Sequence, residues 1–215
     1  MNHPRPYFSG WPLWSLIAVA VLAMTGLTVV SQADLVEGVH SAVRATARSS
    51  FALFLLAFTA SAFATLLPGP ASSALLRERR YIGLGFAFSH WVHAIVIYAY
   101  GRLAPEFWPS RTGLTNVPGS IGYLFLLAMT VTSFKPVARR MSATAWKRLH
   151  TAGMWVLAAV FALSYFKRIP MNPAYALPFA ALIAAVAVRL VGKLSLANKR
   201  RQRAASQLAA APRSL

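Results

Sequence analysis

Long runs without any Asp, Glu, Lys or Arg alternate along the chain with short segments where those residues gather. The uncharged runs are Pro6–Ala33, Ser49–Leu76, Tyr81–Gly101, Thr112–Phe134, Leu149–Phe166 and Ile169–Val188. A helix rising 1.5 Å per residue needs about 20 apolar residues to cross a ~30 Å hydrocarbon core. Five of the runs reach that length, and Leu149–Phe166 does so by extending back over Ala145 and Trp146. The pattern predicts an all-α, polytopic membrane protein with six transmembrane helices, at about residues 11–30, 50–68, 81–102, 117–135, 145–166 and 174–193. Residues 1–10 then form an N-terminal segment, 11–193 the bundle and 194–215 a basic tail. The last two helices are separated only by Lys167–Pro173, a Pro-bounded turn.

Two stretches qualify this division. Ser31-Gln32-Ala33 resembles a signal cleavage site, but the apolar region of a signal is about 7–15 residues. Trp11–Val30 is longer and is read as a retained helix. Ser31–Ser50 holds Asp34, Glu37, His40, Arg44 and Arg48 and is expected to form a short amphipathic helix on the outer face. The remainder after the sixth helix leaves no room for a flavin- or nicotinamide-binding domain, and no internal repeat is apparent.

Composition agrees with the pattern. The chain is 57% hydrophobic and 12% charged, with a mean hydropathy of +0.53. A soluble domain carries about 25% charged residues, so a soluble globular enzyme is excluded, and the apolar content excludes disorder. The 22 Lys and Arg against 4 Asp and Glu give a net charge of +18. Nucleic-acid binding needs such charge on one exposed face, whereas here it flanks apolar runs, so no nucleic-acid partner is expected. Sixteen of the basic residues fall on one side of the six helices and six on the other. By the positive-inside rule both termini are cytoplasmic, and the bilayer itself is the partner of most of this charge. The absence of Cys excludes disulfides, thiolate zinc sites and iron–sulfur clusters.

Ionisable groups at membrane depth mark function by default. Arg189 is about one turn from the cytoplasmic end of the sixth helix, and its guanidinium is expected to snorkel to the headgroups. His90 and His93 fall mid-membrane on one face of the third helix, and His150 near the start of the fifth. His3 and His40 fall in aqueous segments and receive no role. Three readings of the membrane histidines stand open. They are interhelical hydrogen-bonding groups, a proton or substrate relay, or haem ligands. A relay normally keeps carboxylates nearby, and the expectation is that none of the four acids lies in a helix. Aromatic residues along the third and fifth helices suit a haem pocket and equally suit ordinary membrane packing.

Particular runs narrow the choice. Arg79-Arg80-Tyr81-Ile82-Gly83-Leu84-Gly85-Phe86-Ala87-Phe88 followed by His93 resembles the third helix of the ferric reductase-like transmembrane domain family. Thr132-Ser133-Phe134-Lys135-Pro136, Arg139-Arg140 and Trp146-Lys147-Arg148-Leu149-His150 are similar to its fourth and fifth, and Ala52-Leu53 with Leu66-Leu67-Pro68 to its second. The resemblance covers about residues 45–170. It is nearest to the haem-binding membrane subunit of bacterial methionine sulfoxide reductase systems.

The resemblance implies a b-type haem between the third and fifth helices, passing electrons across a bacterial inner (plasma) membrane. His93 corresponds to the family's ligand on the third helix and His150 to its first ligand on the fifth. The second ligand of the fifth helix is missing: Leu163 stands at that position, with Ser164 next. His90 is an additional histidine on the ligand face. The expectation is one haem, with His150 on one side and His90 or His93 on the other, and Met154 as a remote alternative. Tilt, or an earlier start of the fifth helix near Ala143, is expected to bring these ligands to similar depth. Electrons then come from a separate donor, a flavin reductase or quinol. They leave to an external acceptor, an oxidoreductase or ferric iron. The loops Arg77–Arg80 and Lys135–Arg148 offer an acidic donor a basic surface. The rival expectation is a haem-free structural or assembly subunit that keeps the fold.

Overall fold

A computed structural model describes residues 9–110 and 112–210. His3, Arg5, Arg111 and Arg213 of the sequence reading lie outside them. Among the described residues all regular structure is helical, with no strand.

Helix α1 runs Trp11–Val30, the bounds expected of the first span. It opens at Gly10, whose φ of 73° lies in the left-handed region that glycine adopts at no steric cost. The Gly10 N–H donates to Glu78 Oε2 at 2.7 Å, so a carboxylate from 68 residues further along the chain covers the positive end of α1.

Helix α2 runs Leu35–Leu66, beginning well before residue 50. Asp34 starts it by accepting the Glu37 N–H at 2.9 Å, a side-chain N-cap. The segment Ser31–Ser50 is therefore largely the first turns of α2 and not a separate amphipathic helix. Helix α3 runs Pro70–Leu103, starting after the Gly69-Pro70 break. There the Gly69 N–H donates to Ser72 Oγ at 3.1 Å and the Ser72 hydroxyl to Leu67 O at 2.6 Å. This early start corrects a second expectation. Glu78 and Glu37 both lie in helices, and Glu78 is buried, its second oxygen taking Arg77 Nε at 3.0 Å.

Helix α4 covers Gly113–Val131 and includes Pro118. A short turn of helix, α5, Lys135–Ala138, leads to α6, Ala143–Phe166, capped by Ser142 accepting the Ala145 N–H at 3.1 Å. A 3₁₀ turn, Pro173–Tyr175, follows, and α7 runs Ala176–Ala210. Five helices (α1, α2, α3, α6 and α7) are long and apolar enough to cross a membrane. The apolar part of α4, Asn116–Val131, is shorter.

The widest interface is α2 on α3, with α1 laid against both; α4 packs on α6, and α7 closes the bundle against α2 and α6. The core is aromatic: Phe54, Phe58 and Phe86 are fully buried, with Leu126, Leu157 and Leu182 around them. Close helix contact is bought with glycine at Gly192, where an added Cβ meets the Ala62 Cβ at 2.8 Å. Exposed Leu22, Leu27, Ile95, Leu124 and Leu177 give the bundle the apolar outside expected of a lipid-facing surface.

Arg189 departs from the expectation that it snorkels. Its Nη1 donates to Phe58 O of α2 at 2.5 Å, and the guanidinium carbon sits 4.3 Å from the Phe58 ring centroid. The charge is drawn toward the bundle because a backbone carbonyl and an aromatic face are available there.

Candidate functional site

The polar content of the bundle interior concentrates where α2 meets α3. Ser89 is fully buried and shares its hydroxyl with Ser49 at 2.9 Å and Ser50 at 3.0 Å. One turn further along α3, His93 Nδ1 lies 2.9 Å from Thr46 Oγ1. Thr46 is fully buried, and its hydroxyl proton is directed to Ala42 O, four residues back, at 2.7 Å. With that proton on Ala42 O, Thr46 accepts from His93 in the tautomer that carries its proton on Nδ1. In a neutral imidazole Nε2 is then the bare nitrogen, the state a metal ligand requires.

His90 lies beside it, the two ring centroids 5.5 Å apart, as their three-residue spacing implies. Its ring stacks on Tyr123 of α4 at 4.8 Å and meets Phe86 and, edge on, Phe161 of α6. The Tyr123 hydroxyl donates to His90 O at 3.1 Å. His90 Nδ1 is buried with no hydrogen-bond partner. An unpaired buried polar atom costs about 1–3 kcal/mol, so this nitrogen is a point where a ligand would recover free energy.

His150 is elsewhere. Its ring stacks on Trp146 at 4.1 Å, and its Nε2 lies 3.1 Å from Oγ1 of Thr132, the residue just past the end of α4. Thr132 directs its own proton to Ala128 O at 2.7 Å and accepts from His150 in the tautomer protonated on Nε2. Trp146 Nε1 donates to Thr132 O at 2.9 Å, closing a tie between α4 and α6. The three histidines thus form a pair and an outlier, and no cluster of three metal-ligating side chains occurs among the described residues.

The sequence model of one family, described as ferric reductase like transmembrane component, matches residues 46–161, more than half of the chain. The chain belongs to this ferric reductase-like transmembrane family. No curated protein and no solved structure matches it. The matched segment of this ferric reductase-like chain runs from Thr46, which holds His93, to Phe161, which packs on His90. Membership makes the chain a multi-pass membrane protein with a membrane electron-transfer function.

Whether the residues fit a haem can be tested on the donor set. On α3 they do: His93 has its far nitrogen bare, and His90 has an unclaimed one. On α6 they do not. The residue level with His90 is Phe161, eleven positions after His150, a rise of about 16 Å. Although α6 does begin at Ala143, His150 is not brought to the depth of the α3 pair. Leu163 is exposed, and Met154 only borders the core cluster. The donor set therefore fits a haem held from α3, and does not fit one clamped between His150 and that helix.

The sequence assigned no role to Thr46, Thr132, Tyr123 or Trp146, although Thr132 and Trp146 stand in runs that resemble the family. A threonine in an apolar helix carries no signal of its own, because most such residues bond their own backbone.

Proposed function

We propose that the chain is a membrane electron-transfer subunit that binds one b-type haem through His93. The observation that carries this reading is the Thr46–His93 hydrogen bond inside the family-matched segment. It orients the half-buried His93 ring beside that of His90 and, with the ring proton on Nδ1, leaves Nε2 bare. A bound haem supplies reversible one-electron chemistry. Thr46 fixes the tautomer and rotation of His93, and His90 stands next to it with an unpartnered nitrogen. Phe86 and Phe161 exclude water from that face.

The wider reading follows from the charge pattern. Electrons come from a separate donor, a flavin reductase or quinol, approaching the basic loops. They pass to an acceptor outside a bacterial plasma membrane, an oxidoreductase such as a methionine sulfoxide reductase or ferric iron. In this reading α4 also crosses, as the fourth of six spans, and both termini face the cytoplasm, as the Lys and Arg distribution favours.

Reduced-minus-oxidised spectroscopy of the purified protein tests the proposal. A b-type Soret and α band is expected, lost in His93→Ala and kept in His150→Ala. A wild-type protein without those bands overturns it and selects the second reading, a haem-free subunit that keeps the fold. One observation favours that alternative: Phe54, Phe86 and Phe161 already pack ring to ring between α2, α3 and α6.

A further inference from the structure

The basic half of α7 carries two cations for which the described residues provide no counter-charge. Arg189 and Lys193 are four residues apart and so share a helix face, where like charges repel. Both sit over one indole: Arg189 Cζ is 5.8 Å and Lys193 Nζ 5.4 Å from the Trp155 ring. The Arg189 Nε is buried and has no partner, while its Nη1 is spent on Phe58 O. None of the four acids reaches them. Among the described residues the ion pairs are made by Glu37 and Glu78 alone, and Glu78 is already held by Gly10 and Arg77. Asp34 caps α2, and Glu106 lies beyond the opposite end of α3.

Their depth suits a lipid headgroup. Lys193 is about 26 Å and Arg189 about 20 Å along α7 from its first residue, so a ~30 Å hydrocarbon layer that begins there ends about 4 Å past Lys193, within reach of its long side chain. Lys193 is exposed and Arg189 half-buried one turn deeper, with the half-buried Trp155 of α6 beneath both. Gly192, pressed against Ala62, holds this face of α7 in register with α2.

We propose that Arg189, Lys193 and Trp155 form a binding site for the phosphate of an anionic phospholipid in the leaflet at the basic end of α7. The phosphate oxygens would accept from Arg189 and from Lys193, and an acyl chain would run along Trp155. This site is independent of the haem reading and stands if that reading fails.

Native mass spectrometry of the full chain in detergent, titrated with phosphatidylglycerol, phosphatidylcholine or inorganic phosphate, tests it. Phosphatidylglycerol is expected to remain bound as one tight adduct and to raise Tm. Phosphatidylcholine, whose headgroup is neutral overall, is expected to do neither. Lys193→Gln is expected to weaken that adduct about tenfold, the equivalent of one charge-assisted hydrogen bond. It leaves the Arg189–Phe58 bond in place, so folding is not at issue, and Arg189→Gln should add to its effect. Lys199→Gln removes the same charge nearby, where Nζ instead reaches Thr65 O, and is expected to leave the adduct intact. Equal binding of both lipids, an unweakened adduct in Lys193→Gln, or an equal loss in Lys199→Gln overturns the site. Inorganic phosphate protecting as well as phosphatidylglycerol overturns the lipid as its occupant.

Discussion

His93 and His150 are held by the same device used in two opposite ways. Each faces a threonine whose hydroxyl reaches the carbonyl four residues back, Thr46 to Ala42 and Thr132 to Ala128, so each pair is satisfied when the imidazole donates. His93 donates from Nδ1 and leaves its outer nitrogen bare; His150 donates from Nε2 and spends it. The surroundings follow suit. Next to His93 stands His90 with an unpartnered nitrogen, whereas His150 is stacked on Trp146, which bonds the same threonine's carbonyl. The first arrangement exposes coordinating capacity in a buried place, and the second uses it up in fastening two helices. Residue type does not separate these roles; depth and the nitrogen that carries the proton do.

Exchange of the two rings is the hardest test of that contrast. His93→Ala is expected to abolish the haem spectrum. His150→Ala is expected to keep it and to lower thermal stability in detergent. Loss of the spectrum in His150→Ala alone would reverse the assignment. Next in size comes the pair of threonines. Thr46→Val removes the group that orients His93 and is expected to weaken haem retention about 10–100-fold, the usual effect of losing the partner of a metal-bound histidine. Thr132→Val is expected to leave haem retention alone and to cost about 0.6 kcal/mol, the average for an interhelical hydrogen bond in a membrane protein. Competition of each variant against apo-myoglobin for haem, beside its melting curve, reads both quantities.

Much of the frame was legible in the residues. The charge-free runs locate every long helix, and Trp11–Val30 coincides with α1. What they locate, however, is the apolar stretch and not the end of hydrogen bonding. Helices α2 and α3 continue past it, because Asp34 and Gly69-Pro70, not the first charge, begin them. Glu78 was misjudged for this reason: it follows Arg77 in what read as a loop and is a buried anchor for the start of α1. The His90–His93 face was readable from spacing alone. Its partner was not, since Thr46 is 47 residues away and is brought there by the packing of α2 on α3. The same holds for Arg189, whose carbonyl acceptor at Phe58 lies 131 positions earlier.

His90 gives a smaller and sharper test, because removing its nitrogen should help the apoprotein. His90→Phe keeps a ring against Tyr123 and Phe161 and deletes the buried Nδ1 that lacks a partner. The haem-free form is expected to gain about 1 kcal/mol, the lower part of the range for relieving an unsatisfied buried polar atom. The spectrum is expected to survive, since His93 is the proposed ligand. Loss of the spectrum here, with retention in His93→Ala, would move the ligand one turn down α3.

The smallest effect is expected at Trp146, which belongs wholly to the fastening half of the comparison. Trp146→Phe keeps an aromatic face for His150 and removes only the Nε1 donor to Thr132 O. That carbonyl lies at the end of α4, where no further helical turn claims it. Its loss should therefore cost about 0.5 kcal/mol, at the low end for a single neutral hydrogen bond. It should be read as a small fall in Tm with an unchanged spectrum. A spectral change from this remote substitution would mean that the α4–α6 tie sets the geometry of the His93 region as well, and the two halves of the comparison would then be one coupled unit.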